Sequence, residues 1–218
     1  MIGAGGALRA AFIDFYHQSW RLAAFNTVLS ATVLAIVYLT LFVHPALLLL
    51  VVLVGPLAAS LMHCAVRLAQ DDELHFGDAL AGLKLHWRRG LVLASATLLV
   101  FWLAGIALRF YGTDQWIFAV FVVDVLALLA VLQLLVWPRA VYERERPLQK
   151  VFGDALSDFL RRPLSTLSFA AGLVLVNLLG IAAAVMPFLT LTIAFSFVAA
   201  AHFALPRSPL REPLPESA

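Results

Sequence analysis

Uncharged apolar runs alternate with short polar segments along almost the whole chain. Runs of about 18 residues or more are long enough to cross the hydrocarbon layer of a bilayer as α-helices. The last run, 164–205, is too long for one crossing, and Met186-Pro187 near its centre divides it in two; one bent helix is the alternative. The pattern predicts six membrane spans, at 25–43, 46–66, 91–108, 116–137, 164–185 and 188–205.

Prolines and one acid mark particular points in these spans. His44-Pro45 predicts a tight turn between the first two spans, and Gly55-Pro56 predicts a kink in the middle of the second. Asp124 interrupts the fourth span, and Pro138 is expected to end it.

The segments between the spans have an amphipathic pattern. The sequence Phe76-Gly77-Asp78-Ala79-Leu80 recurs as Phe152-Gly153-Asp154-Ala155-Leu156, and each copy leads to a basic pair at the next span. Apolar residues recur at helical spacing in both copies, and a weaker echo precedes the first span. We expect interfacial helices at 8–22, 73–89 and 148–162. They are either anchors in the headgroup layer or the first parts of three parallel units, each completed by a two-span hairpin.

Composition agrees with a membrane protein and excludes two other classes. Hydrophobic residues make up 63% of the chain and charged residues 13%, with a mean hydropathy of +0.95. A soluble enzyme would have about a quarter of its residues charged, and one cysteine excludes a disulfide-stapled module. The predicted fold is all-α: a polytopic transmembrane helical bundle, one membrane domain over 1–205, with a disordered tail at 206–218.

The basic residues predict an orientation. With the N-terminus inside, 14 of the 15 lysines and arginines fall on the cytoplasmic side, and Arg109 is the exception. Cytoplasmic segments carry this excess of basic residues in multi-pass proteins. We therefore expect both termini, and the amphipathic helices, on the cytoplasmic side.

Several interface motifs resemble those of the YesL family, bacterial membrane proteins of unknown function. The resemblance covers roughly 12–205 and rests on these motifs: Trp20-Arg21-Leu22, Gly55-Pro56-Leu57-Ala58-Ala59, Arg67, Asp71-Asp72-Glu73, Phe76, Trp87-Arg88-Arg89 and Leu160-Arg161-Arg162-Pro163-Leu164. Members are often associated with carbohydrate uptake, so the resemblance implies an accessory role in the bacterial plasma membrane. It supplies no catalytic residues.

Asp124 is the strongest single candidate for chemistry. A carboxylate inside a span is costly, and such residues usually face the protein interior or a watery cavity. It is expected to be protonated, hydrogen-bonded to Asn177, or paired with His63 or His202. A proton or ion site and a structural clamp between helices are equally good readings at this point.

No catalytic, metal or cofactor site is predicted. His63, Cys64 and His202 lack the spacing of metal ligands within one segment, and no phosphate loop, dinucleotide fingerprint or nucleophile elbow occurs. The net charge of +2 reflects the basic residues of the predicted cytoplasmic segments and does not indicate nucleic-acid binding.

Two functions follow from the sequence. The first is a non-enzymatic accessory or regulatory protein in the lipid bilayer, attached to a carbohydrate transporter or another membrane protein. The alternative is a small transporter or channel that uses Asp124. Because the outer loops are short, a partner approaching from water is expected to dock on the cytoplasmic helices, through Asp78, Lys84, Arg88, Asp154, Asp158 and Arg161.

Overall fold

The described part of the chain is helical throughout. The computed structural model describes residues 3–71, 74–111, 115–182 and 186–205, so the tail predicted at 206–218 lies outside the described residues. A 3₁₀ segment covers Pro45–Leu53, and the α-helices are α1 (Ala4–Phe42), α2 (Val54–Asp71), α3 (Phe76–Tyr111), α4 (Trp116–Tyr142), α5 (Leu148–Arg161), α6 (Pro163–Ala182) and α7 (Met186–Ala204).

Five helical segments are long and apolar enough to cross a membrane. They are Trp20–Phe42, Leu49–Gln70, Gly77–Tyr111, Trp116–Tyr142 and Pro163–Ala182, and Thr190–Ala204 is a shorter apolar helix. Large apolar side chains are exposed along the outer surfaces of α1, α3, α4 and α6, as lipid contact requires. The prediction of a membrane-embedded helical bundle is confirmed, and the division of 164–205 into two helices agrees with it.

The helices form three hairpins in a closed ring. Each hairpin pairs an outer helix (α1, α3 or α6) with an inner one (α2, α4 or α7), and the three inner helices contact each other. Every inner helix also contacts the first helix of the next unit: α2 packs on α3, α4 on α5, and α7 returns to α1. This is the arrangement expected of three parallel units around the membrane normal.

The structure differs from the prediction of three separate interfacial helices. Segments 8–22 and 25–43 form one continuous helix, α1, and 76–89 continues into the third span as α3; residue 73 lies outside the described part. Only α5 is separate from the span that follows it. The reason is local: Arg162 precedes Pro163, which disfavours helical backbone at Arg162, whereas Gly90 follows Arg89 and no proline interrupts α3.

The second span also differs from its prediction. Its first part, Pro45–Leu53, is a 3₁₀-helix, and the α-helix starts only at Val54. Pro56 therefore lies in the first turn of α2, where a proline displaces no helical hydrogen bond. The kink predicted at Gly55-Pro56 is replaced by this change of helix type.

Pro138 does not end the fourth span. α4 continues to Tyr142 with Pro138 inside it and fully buried. A proline there removes one helical hydrogen bond. The turn that follows is held in place because Arg139 donates to Asp158 and Arg89 of α3 donates to the carbonyls of Ala140 and Glu143.

Candidate functional site

Buried charged and polar side chains gather at one end of the bundle, which we call the polar end. It contains the N-terminal halves of α1 and α3, the helix α5, and the C-terminal ends of α2, α4 and α7. Each inner helix ends in a base that contacts a carboxylate on the next unit: Arg67 with Asp78, Arg139 with Asp158, and His202 with Asp14. The ring of three units is thus closed by three pairs.

The first pair joins α2 to α3. Arg67 donates to Asp78 Oδ1 over 2.5 Å, and Asp78 Oδ2 accepts from the backbone N–H of His75 over 2.7 Å. Asp78 lies in the first turn of α3, where a carboxylate also interacts favourably with the helix dipole. It is buried, so it is a structural residue of this seam.

The second pair joins α4 to α5. Arg139 donates to Asp158, and both side chains are largely buried. The acid is one helical turn beyond Asp154, the residue that matches Asp78 in the repeated motif. Asp154 instead lies at the surface, 3.4 Å from Arg146.

The third pair joins the end of the described chain to its beginning. His202 Nε2 lies 2.6 Å from Asp14 Oδ2, and the histidine side chain is almost fully buried. Close by, Phe169 of α6 stacks on Phe203 of α7. His202 therefore holds α7 against α1.

Two arginines bind backbone carbonyls at equivalent places. Arg21 of α1 donates to Leu74 in the link between α2 and α3. Arg89 of α3 donates to the carbonyls of Ala140 and Glu143, over 2.7 and 3.1 Å, and also to Arg146. The last carbonyls of a helix lack helical donors, so Arg89 satisfies the end of α4 and fixes the link to α5.

Arg89→Gln should lower the free energy of unfolding by about 1.5–3 kcal/mol, because hydrogen bonds from a charged donor are lost. The neighbouring Arg88→Gln is the matched control, since Arg88 is exposed and lies over the Trp87 ring; it should change stability little. Thermal unfolding in detergent, followed by circular dichroism, measures both. Equal losses would contradict the capping role of Arg89.

The intramembrane candidates do not converge. Asn177 of α6 donates to Leu173 on its own helix and to Ser196 Oγ of α7, over 2.8 and 2.7 Å. It clamps two helices and does not contact Asp124. Asp124 is exposed on α4, about 12 Å along the helix from Trp116. The expectation that it faces the interior or pairs with Asn177, His63 or His202 is wrong, because Asp124 lies in a stretch of α4, from Trp116 to Val125, in which no side chain is buried.

His63 contacts a buried histidine that no sequence pattern indicated. Its ring lies 5.2 Å from the ring of His86 on α3, which is 1% exposed. Gly82 makes room for this contact, since a Cβ there would lie 2.8 Å from His63 Cβ. Within the described residues no three histidine, cysteine or acidic side chains come together as metal ligands. The pair packs α2 against α3.

The predicted docking residues divide into two groups. Lys84, Arg88, Asp154 and Arg161 are exposed, whereas Asp78 and Asp158 are held in pairs with Arg67 and Arg139. The prediction that these acids offer a surface to a partner is wrong for Asp78, which is 6% exposed. Asp158 is partly exposed and lines an open cleft, so the prediction is not contradicted there. An open cleft of about 320 Å³ at the polar end is lined by Arg146, Asp154 and Arg161 among others.

Comparison with known proteins adds no relative: no family model, curated protein or solved structure matches the chain. The resemblance to the YesL family thus rests on its interface motifs alone. Asp14, Arg67, Arg89 and Arg139 form interhelical contacts that were not predicted. For Arg67 and Arg139 the sequence contains a signal, because a base lies at or near the end of the second span of each hairpin: Arg67, Arg139 and His202.

Proposed function

We propose that the protein is a non-enzymatic accessory component of a larger assembly in the bacterial plasma membrane. The observation that carries this proposal is the filling of the bundle axis. The inner helices meet through small and apolar side chains that are fully or almost fully buried, among them Leu61, Ala65, Leu132, Val136, Ala194 and Val198. A solute pathway through a bundle needs polar or charged groups along its lining.

The charges at the polar end support the same proposal. Three pairs with largely buried carboxylates hold inner helices to their neighbours, so these carboxylates and bases serve the packing of the bundle. The exposed charges that remain, on α3 and α5, form a surface suited to a partner or to anionic lipid on the cytoplasmic side. Attachment to a carbohydrate importer is the specific form that the family resemblance suggests.

The transporter alternative loses its main support. Its candidate residue, Asp124, is exposed on the outer surface of α4 and not among the inner helices. A carboxylate in that position lines no route between the two ends of the bundle.

Purified protein in liposomes should carry no flux of protons or labelled disaccharides above that of protein-free liposomes. Proton flux is read from a trapped pH-sensitive dye, and sugar flux from filtered vesicles. The matched variant Asp124→Asn should behave like the wild type. Flux that Asp124→Asn abolishes would overturn the accessory role and restore the transporter.

A further inference from the structure

One hairpin extends beyond the packed part of the bundle. In the halves of α3 and α4 that lie away from the polar end, large apolar side chains are 50–75% exposed, among them Phe101, Trp102, Phe110, Trp116, Ile117 and Phe121. Among residues 101–111 of α3 only Ala104 is buried, and no residue of α4 from 116 to 131 is buried. We call this exposed stretch the outer α3–α4 face. Its apolar surface suits lipid and a transmembrane helix equally well.

Asp124 decides between these two neighbours. It is exposed on the outer α3–α4 face, eight residues after Trp116 in an apolar helix long enough to cross a membrane. Among the described residues its carboxylate makes no hydrogen bond or ion pair. Insertion of an aspartate at the centre of a membrane helix costs about 2.5–3.5 kcal/mol even on the mildest scale. A partner that supplies a donor at this depth removes that penalty, and lipid tails supply none.

The chemistry of the partner follows from the charges around Asp124. Outside the polar end, the described bases are His44 and Arg109. Both lie at the opposite end of the bundle: His44 is in the turn after α1, and Arg109 is about 3 Å along the helix from Tyr111, where α3 ends. A second copy of this chain therefore offers no base at the depth of Asp124. A two-fold contact through α4 would place two aspartates together and would bring no base to either of them.

We propose that the outer α3–α4 face binds a transmembrane helix of a different membrane protein, and that this helix presents a lysine or arginine to Asp124. The inference rests on the proposed accessory function and gives its partner a chemical identity. Polar and charged side chains inside a membrane usually pair with one another across helices, and such pairs give a helix contact its specificity. The assembly would thus be specified within the bilayer, at a site separate from the polar end.

A pair of synthetic helices tests the proposal directly. Each is a Leu/Ala transmembrane peptide of about 22 residues; one carries a central lysine and the other a leucine at that position. The full chain, labelled with a fluorescent donor at Lys84→Cys, is reconstituted in phosphatidylcholine vesicles with acceptor-labelled peptide. Lys84 is exposed, and Cys64 is buried and protected from the label. Energy transfer against peptide density gives the association constant.

The lysine peptide should bind the wild type about 3- to 30-fold more tightly than it binds Asp124→Leu. The leucine peptide should not distinguish the two, and the control Val125→Leu should bind like the wild type. A peptide with a central glutamate should bind Asp124→Lys as tightly as the lysine peptide binds the wild type. This exchange of charges would show that charge complementarity stabilises the contact.

Three outcomes would overturn the proposal. In the first, the lysine peptide binds the wild type and Asp124→Leu equally; in the second, both peptides bind the wild type equally. In the third, fluorescence energy transfer occurs between labelled copies of this chain and is abolished by Asp124→Leu. The first two indicate lipid as the neighbour, and the third a second copy. If peptide binding is not selective and no solute flux is seen, the docking proposal is wrong but the accessory function is not contradicted. If flux depends on Asp124, the accessory function itself is wrong.

Discussion

Gly90→Ala is expected to destabilise the bundle, although alanine is the better helix former. A Cβ at Gly90 would lie 2.6 Å from the carbonyl oxygen of Gly55 and 2.9 Å from Cα of Pro56. Both neighbours are backbone atoms, so relief requires α2 and α3 to move apart. Overpacking of this kind costs about 1–3 kcal/mol or more, which corresponds to a decrease in Tm of roughly 2–12 °C for a chain of this size.

Gly105→Ala is the matched control in the same helix. A Cβ at Gly105 meets nothing within 4 Å, so the substitution should raise stability by about 0.5–1 kcal/mol through the helix propensity of alanine. Cys64, the one cysteine of the chain, is fully buried on α2, and a thiol-reactive fluorogenic dye therefore reports unfolding in detergent. If the two variants have the same Tm, the close crossing of α2 and α3 does not limit stability.

The sequence predicts the helical class because span length is a property of each segment alone. It also contains signals that distinguish the junctions between the amphipathic segments and the spans that follow them, where separate helices were predicted wrongly. Arg162-Pro163 breaks the helix between α5 and α6, while Arg89-Gly90 lets α3 continue. No proline occurs within 4–42 or 76–111, and this absence predicts a continuous helix in each range. The change from an amphipathic to an apolar pattern within these ranges does not end the helix.

The contacts of the polar end depend on how helices are rotated, and this is a long-range property. Asp158 pairs with Arg139 although Asp154 matches the repeated motif, since one turn of α5 decides which acid faces α4. His202 and Asp14 are 188 residues apart and meet only when the ring closes. Asp124 lies in a helix that is apolar on all sides, so no periodicity shows which face is covered.

The largest loss of stability is expected from Arg139→Met. Arg139 and Asp158 are 8% and 21% exposed, and removal of the guanidinium leaves a carboxylate between α4 and α5 without its counter-charge. Breaking one side of a buried pair costs about 3–5 kcal/mol, or roughly 6–20 °C in Tm. Unfolding of the purified protein in detergent, followed by the Cys64 dye, measures the loss.

The double variant Arg139→Met with Asp158→Leu distinguishes the cost of one unpaired buried charge from the contribution of the intact pair. Replacing both members of a buried pair by apolar side chains is often neutral or stabilising, so the double variant should recover most of the stability that Arg139→Met loses. Arg146→Met is the surface control, because Arg146 and Asp154 are 60% and 53% exposed and such pairs contribute about 0–1 kcal/mol. If the double variant is as unstable as Arg139→Met, the cost arises from lost packing and the carboxylate of Asp158 needs no counter-charge. Recovery in the double variant would instead show that the three seams of the ring are held chiefly by apolar contact, with each charged pair selecting which helix faces are joined.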